Sequence, residues 1–245
     1  MIKKFILMGL FLFVSSHVKA DELKNNFVAN LTQVPLDSLT KDLGAVMGGG
    51  SFHQGKSLGF PLGVDFGVHV PVVKLKKENV ILTDDESALF GAFGQLEYGL
   101  PGRINLIART GKIYDGTLLG GGLRFGIIKS AIPGLPSLSV SGLYNQLSHD
   151  YIDVKSYSGN VVLSFDVPFV HPYIGAGYDK TSLEPTAQAF QSAPASVSRS
   201  LKGESEGYRA EVGVNLSFIP FTYLSLGAGL ANAETMYHLG LGVKF

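Results

Sequence analysis

The stretch GSFHQGKS at residues 50–57 has the residue types and spacing of a phosphate-binding loop, with Gly50, Gly55, Lys56 and Ser57 in the required places. Such a loop binds phosphate because a strand precedes it and a helix follows it, so that backbone N–H groups and the helix N-terminus surround the anion. Here the pattern indicates a helix before the stretch and a strand after it. We therefore expect no nucleotide site at these residues.

The other residues suited to chemistry are histidines and acidic residues, and their spacing forms no recognisable catalytic or metal-binding set. The candidates are His149 with Asp150 and Asp153, the run Asp84-Asp85-Glu86, and His69 and His238 within apolar stretches. The spacing indicates no serine and histidine arranged as a nucleophile and its base, and the chain has no cysteine. The sequence therefore predicts no catalytic residue, no metal, no cofactor and no disulfide framework.

The first twenty residues have the three parts of a secretory signal peptide. Lys3 and Lys4 precede an apolar run, and small residues lead to a cleavage site after Ala20. The apolar run is too short to span a bilayer as a helix. Removing residues 1–20 takes away three of the 20 basic residues and none of the 20 acidic ones, which leaves a net charge of −3. We expect no nucleic-acid partner from that charge.

Strict alternation of apolar with small or polar residues dominates the chain after residue 59, and this period of two is typical of β-strands. In GFPLGVDFGVHVPVV, for example, Phe66 and Val68 share one face, and Asp65 and His69 share the other. The pattern predicts ten strands, with eight to twelve possible. They lie at 60–70, 90–100, 104–110, 119–127, 138–144, 161–167, 170–178, 208–218, 224–230 and 237–245.

A different pattern precedes the strands and predicts a short amphipathic helix from Leu36 to Met47. Apolar residues recur there at helical spacing, and Gly48-Gly49-Gly50 ends the pattern. The domain boundaries follow: a signal peptide at 1–20, a periplasmic or plug segment with the helix at 21–58, and the strand domain at 59–245. The helix could plug the domain, lead into it or rest on its rim, and the rim is the simplest expectation.

The fold class predicted is all-β, a closed antiparallel transmembrane β-barrel of about ten strands. Tight turns at 100–102, 168–169 and 219–221 and a modest one at 131–137 alternate with longer connections at 74–87, 113–116, 149–155 and 182–205. Short turns at one end and longer loops at the other are typical of outer-membrane barrels. A soluble sandwich would carry more charge on its polar face than these glycines, serines and asparagines. Aromatic residues also collect at strand ends, as in interfacial girdles.

Charged residues on the inward faces predict two ion-pair clusters inside the barrel, because unpaired charges in a narrow interior are costly. A porin lining is the alternative. The candidates are Asp65, Glu97, Asp166, Asp179 and Glu211 against Arg103, Arg109, Arg124, Arg209 and Lys244. Strand direction places Arg109, Asp179, Arg209 and Glu211 toward the outer mouth, and Glu97, Arg103, Arg124, Asp166 and Lys244 toward the periplasmic one. The tight turn at 168–169 also predicts that Asp166 lies opposite His171.

The final segment, TMYHLGLGVKF, alternates up to an aromatic residue at the terminus, Phe245, with Tyr237 on the same face. It resembles the C-terminal signature of Gram-negative outer-membrane β-barrels, which the barrel-assembly machinery recognises. The resemblance implies a place in the cell outer membrane, with outer-membrane lipids and the assembly machinery as partners and with Tyr237 and Phe245 as the assembly signal.

The function predicted is that of a non-enzymatic outer-membrane β-barrel. It is either a narrow or gated channel for small or hydrophobic solutes or a structural barrel. A surface-recognition or adhesion barrel is the alternative, with the flexible loop at 182–205 as its exposed part. An outer-membrane hydrolase is a further alternative with less support. The sequence names no particular solute.

Overall fold

The computed structural model describes Phe27, Ile81, Ile132 and residues 30–75, 88–130, 134–194 and 197–245. The predicted signal peptide at 1–20 and the run Asp84-Asp85-Glu86 lie outside the described residues. The helices are α1 (Gln33–Gly48) and α2 (Ala187–Ser192), and the strands are β1 (Val64–Lys74), β2 (Ala88–Phe90), β3 (Ala92–Leu100), β4 (Ile104–Ile113), β5 (Gly116–Ile128), β6 (Pro136–Ser148), β7 (Ile152–Phe165), β8 (Val170–Pro185), β9 (Gly203–Leu216), β10 (Thr222–Ala231) and β11 (Glu234–Lys244).

Ten long strands close into an antiparallel barrel, as the alternation predicts. Each long strand pairs with the next one along the chain, and β11 pairs with β1 from Asp65 opposite Lys244 to Val73 opposite Met236. The short strand β2 is an addition to the ten: it pairs with the end of β1 and is separated from β3 by Gly91. Closure leaves no unpaired sheet edge around the ring.

The two faces of the wall differ as the sequence pattern requires. On β1, Phe66 and Val68 are 51% and 44% exposed on the outside, whereas Asp65 and His69 are buried inside. The strand begins four residues later than predicted. Phe60 belongs to a turn before it, because the N–H of Gly63 donates to the carbonyl oxygen of Gly59 and turns the chain.

The two ends of the barrel, called the turn end and the loop end, differ in the connections that they hold. The turn end holds residues 101–103, 129–130, 134–135, 166–169 and 217–221 with the start of β1 and the end of β11, and the loop end holds the other described connections. The expectation that the connections at one end are all longer than those at the other is wrong in part. Two of the predicted longer connections are short turns, at 114–115 and 149–151, because the strands beside them run further than predicted.

The strands run further than predicted because their apolar residues change sides at the loop end. There the inward residues are apolar, and the outward ones, such as Lys112 and Lys155, are polar and exposed. The inward set includes Val73, Phe93, Ile113, Leu118, Leu147, Val154, Leu183 and Met236, all buried. These side chains form one apolar cluster with Leu36, Leu39 and Leu43 of α1.

Helix α1 lies inside the loop-end mouth, so the expectation that it rests on the rim is wrong. It contacts β1, β2, β7, β8 and β9, and its last seven residues are all buried. It begins at Gln33, three residues earlier than predicted, because Pro35 is tolerated in a first turn, where an N–H needs no helical partner. It ends at Gly48, before Gly50 adopts a positive φ of 70°. No helix among the described residues is long and apolar enough to cross a membrane.

Candidate functional site

The chain between the helix and the first strand passes through the inside of the barrel. Residues 49–58, called the lumen segment, start at the apolar cluster of the loop end and reach the turn end at Leu58. Ser51, Phe52, His53 and Gln54 are each at most 4% exposed along this path. Helix α1 and the lumen segment together, residues 33–58, are called the plug.

Wall arginines supply hydrogen bonds to the end of α1 and to the start of the lumen segment, which has no helix or strand of its own. Arg109 of β4 donates from Nη1 to the carbonyl oxygen of Met47 at 2.9 Å and from Nη2 to that of Gly49 at 2.8 Å. Arg209 of β9 donates to the carbonyl oxygen of Gly48 at 2.6 Å. These bonds satisfy the carbonyl groups left free where α1 ends.

Arg209 also forms the one ion pair of the predicted outer cluster. Its guanidinium binds both carboxylate oxygens of Asp179 on β8, with Nη2–Oδ1 at 3.0 Å. The ring of Phe52 lies against the guanidinium, with Cζ of Arg209 4.7 Å from the ring centroid. Both charges are buried, so each depends on the other. Arg109, predicted in the same cluster, bonds to plug carbonyl groups instead.

A second arginine and carboxylate meet nearer the turn end. Arg124 of β5 lies 2.9 Å from Glu97 of β3, and it also donates to the carbonyl oxygens of Ser51 and Gln54 in the plug. Glu97 accepts a further hydrogen bond from Asn105 at 3.0 Å. The pair therefore connects two wall strands and the lumen segment.

Histidine and carboxylate side chains lie beside these ion pairs, and His53 is 3.8 Å from Glu97. His238 bonds through Nδ1 to Glu211 at 3.2 Å and through Nε2 to Nδ1 of His69 at 3.0 Å. The ring of His53 in the plug lies tilted against that of His69, with ring centroids 4.7 Å apart, and its Nε2 is 3.5 Å from Asp65. Among the described residues, no group of three or more such side chains is arranged to hold a metal ion.

Asp166 and His171 meet at the turn end, as the register of the tight turn predicts. Val167 bridges to Val170, and Nδ1 of His171 lies 3.1 Å from Oδ1 of Asp166. The hydrogen bond from His171, together with Lys56 of the plug, holds the pKa of Asp166 well below its usual range, against the opposing effect of burial.

Two basic residues of the predicted periplasmic cluster lie apart from Glu97 and Arg124. Arg103 is exposed in the turn after β3 with a positive φ of 64°, which breaks the strand alternation, so its assignment to the lumen is wrong. Lys244 is partly buried and donates to Oε1 of Gln54 at 3.4 Å.

Sequence reasoning missed the polar side chains that hold the plug without carrying charge. Asn105 accepts from the N–H of Leu58 at 3.0 Å, and Asn215 donates to the carbonyl oxygen of His53. The signal was present in the sequence, since strands β4, β6, β7 and β9 each place an asparagine on the inward face. Buried amides require partners, and so many of them indicate polar backbone inside the barrel.

Among the described candidate catalytic residues, His149 lies apart from His69 and His238. His149 lies in the β6–β7 connection, where its Nδ1 accepts from the N–H of Tyr151 at 3.2 Å. Burial lowers the pKa of His149, and Asp150 and Asp115 oppose that effect. His69 and His238 lie in the lumen and bond to each other.

No family model matches the chain, and no curated protein matches it. Among solved structures it is similar to an outer membrane channel from Pseudomonas putida F1, with 12% identity, 78% of this chain and 99% of that chain covered, and a TM-score of 0.46. It is also similar to the N-terminal β-barrel domain of Pseudomonas aeruginosa OprF, with 16% identity, 78% and 100% covered, and a TM-score of 0.34. Neisserial surface protein A shows 14% identity, 75% and 97% covered, and a TM-score of 0.35. These likenesses are remote, and the fold assignment rests on the strand pairing.

The buried pair of Arg209 and Asp179 predicts a large stability loss when one partner is removed. Arg209→Met leaves Asp179 unpaired and frees the carbonyl oxygen of Gly48, so we expect a loss of about 3–5 kcal/mol in the free energy of unfolding. Urea unfolding followed by circular dichroism in detergent measures it. Lys180→Met is the matched control, since Lys180 pairs with Glu206 on the exposed surface and its loss should change little. Equal midpoints for the two variants would contradict the prediction.

Asp166 predicts a pH dependence with a definite sign. Its folded pKa lies below the ordinary value of 3.8, so its stabilising effect is fully present above the unfolded pKa and is lost as pH falls through the folded one. Asp166→Asn should therefore lower the unfolding midpoint at pH 6, and its difference from wild type should shrink as pH falls below about 4. A difference that is constant from pH 6 to pH 2 would show that the contacts with His171 and Lys56 do not stabilise the fold.

Proposed function

We propose that this chain is a non-enzymatic channel of the outer membrane, closed by its own N-terminal plug. One observation carries the proposal: the lumen is filled by a separate segment of chain, residues 33–58, rather than by side chains of the wall alone. Because the wall holds the lumen segment through hydrogen bonds from polar side chains, those polar groups would line the interior when the segment leaves. Such an interior can hydrate and admit a solute.

The outside of the barrel supports residence in a membrane. Large apolar side chains are exposed along the middle of most strands, among them Leu241 at 57% and Val212 at 57%. Aromatic rings mark the edges of this band: Tyr144 contacts Tyr157 toward the loop end, and Phe221 stacks on Phe245 at the turn end. Bilayer lipids cover such a surface without cost, whereas water does not. Outer-membrane lipids are therefore the proposed surroundings.

The orientation proposed places the turn end in the periplasm. Beyond the apolar band at the loop end, the outward side chains are charged and pair on the surface, as Lys180 does with Glu206 and Lys202 with Glu204. This projecting part suits an aqueous space outside the cell. Phe245 then lies on the periplasmic side, where the assembly machinery would meet the last strand.

The apolar cluster at the loop end sets the ease of opening. Leu36, Leu39, Leu43 and Met47 of α1 are each at most 2% exposed. Full burial of such a side chain contributes about 1.5–3 kcal/mol, so spontaneous release of the whole helix is rare. Once α1 has moved out, the wall residues of this apolar cluster accept the hydrophobic part of a small solute.

The long β8–β9 connection is better suited to cover this mouth than to act as an adhesive loop. Ala189 of α2 belongs to the apolar cluster, and Phe190, Val197 and Leu201 pack against it. The side chain of Thr186 caps α2 by accepting from the N–H of Ala189. A flexible loop was expected here, but the described residues of this connection carry much of their apolar surface inward.

A loosened plug should conduct more than the native one. Leu39→Glu places a carboxylate in the apolar cluster, and a buried unpaired charge is unfavourable, so we expect more frequent channel openings in planar bilayers. Val34→Glu is the control, because Val34 lies on the same helix and is 70% exposed. Unchanged conductance in the Leu39 variant, with the folded barrel intact by its heat-dependent gel mobility, would favour a sealed structural barrel.

A charged residue at position 245 should impair assembly more than it alters the folded barrel. Phe245→Asp removes the terminal aromatic of the last strand, so we expect a several-fold lower level in the outer-membrane fraction. Phe169→Asp is the control, because Phe169 is equally exposed at 63% and lies at the same end, outside the last strand. Comparable outer-membrane levels of both variants would count against an assembly signal at Phe245.

A further inference from the structure

A cavity of about 450 Å³ opens at the turn end, between the lumen segment and the wall. That size falls in the range of sites for small organic ligands. Gln54, Lys56 and Ser57 of the plug line one side of it. The opposite side is formed by Lys129 after β5, Lys244 at the end of β11, and the apolar residues Ile219, Phe221 and Phe245.

The charge of the cavity is unbalanced in favour of cations. Three lysines line it, and Asp166 is the acidic side chain among its described lining residues. Asp166 already pairs with Lys56 and His171. Lys129 donates to the carbonyl oxygen of Leu58 at 3.3 Å, and Lys244 donates to Oε1 of Gln54 at 3.4 Å. Both ammonium groups are thus bonded to neutral oxygen atoms, and each has donors to spare.

Two buried donors in the same lining have no hydrogen-bond partner among the described residues. They are Nε2 of Gln54 and Oγ of Ser57, in side chains of residues only 4% and 2% exposed. Both atoms have almost no accessible surface, so neither faces a ligand in the cavity. The lysines are therefore the donors that a ligand meets there.

We propose that this cavity binds a phosphate group, carried by a small organic molecule or by a lipid headgroup. A phosphate monoester presents three acceptor oxygens and between one and two negative charges, which matches the ammonium groups of Lys129 and Lys244 better than a carboxylate with two oxygens and one charge does. The apolar residues beside these lysines accept the carbon part of the ligand. The two lysines come from separate wall elements, so the site does not depend on a phosphate-binding loop.

The site does not depend on movement of the plug, so binding is tested directly on the whole protein. The protein is held in dodecyl maltoside and Tris chloride, free of phosphate, and titrated calorimetrically with inorganic phosphate, with sn-glycerol 3-phosphate and with glycerate. A parallel arm compares nanodiscs of phosphatidylcholine with nanodiscs that contain phosphatidic acid. The variants are Lys129→Met/Lys244→Met and the control Lys112→Met/Lys155→Met, whose lysines lie exposed at the loop end. Heat-dependent gel mobility confirms that each variant is folded.

We expect saturable binding of glycerol phosphate that weakens at least about ten-fold in the Lys129/Lys244 variant and persists in the control. Binding seen only with phosphatidic acid would identify a lipid headgroup as the source of the same phosphate. Three results would overturn the proposal: no binding of any phosphate in either arm, equal affinity in the two double variants, or glycerate bound as tightly as glycerol phosphate.

Discussion

Each backbone amide and carbonyl group that crosses the lumen needs a hydrogen-bond partner, because residues 49–58 form no helix or strand there. The wall supplies partners with side chains: Arg109 donates to the carbonyl oxygen of Gly49, Arg124 to those of Ser51 and Gln54, and Asn215 to that of His53. Arg209 does the same for Gly48, at the end of α1. Glu97 pairs with Arg124 and Asp179 pairs with Arg209, since a buried guanidinium group needs a counter-charge. The polar interior of this barrel is therefore arranged around the backbone of a segment that is not part of the wall.

The same constraint places small residues where the plug approaches the wall. A side-chain carbon at Gly175 would lie 2.6 Å from the ring of Phe52, and one at Gly48 would lie 2.6 Å from Arg209. Glycine at these positions lets the segment and the strands come close enough for direct contact. The abundance of glycine thus reflects an occupied lumen as well as tight curvature.

The strands could be predicted from the sequence because alternation is local and repeats in every strand. The meeting of Asp166 and His171 was equally accessible, since a two-residue turn fixes which residues face each other. The partners of the inward arginines were not accessible. Ion pairing between wall strands was expected, and Arg109 instead meets the carbonyl groups of Met47 and Gly49, which lie far away in sequence. Arg103 was misplaced because it lies in the turn between Leu100 and Ile104, outside the alternation of both strands.

The passage of residues 49–58 through a closed ring has a consequence for the order of assembly. The chain enters at the loop end, leaves at the turn end and then forms β1, and the ring is closed by the pairing of β1 with β11, the first and last strands in sequence. If the ring closed first, the chain would have to be threaded through it, and α1 with its buried leucines would have to pass Arg124, Glu97 and the histidines inside the lumen. Closing the β1–β11 seam last avoids this passage. In that order, the plug would lie in place before the wall closes, and the last strand would complete the ring around it.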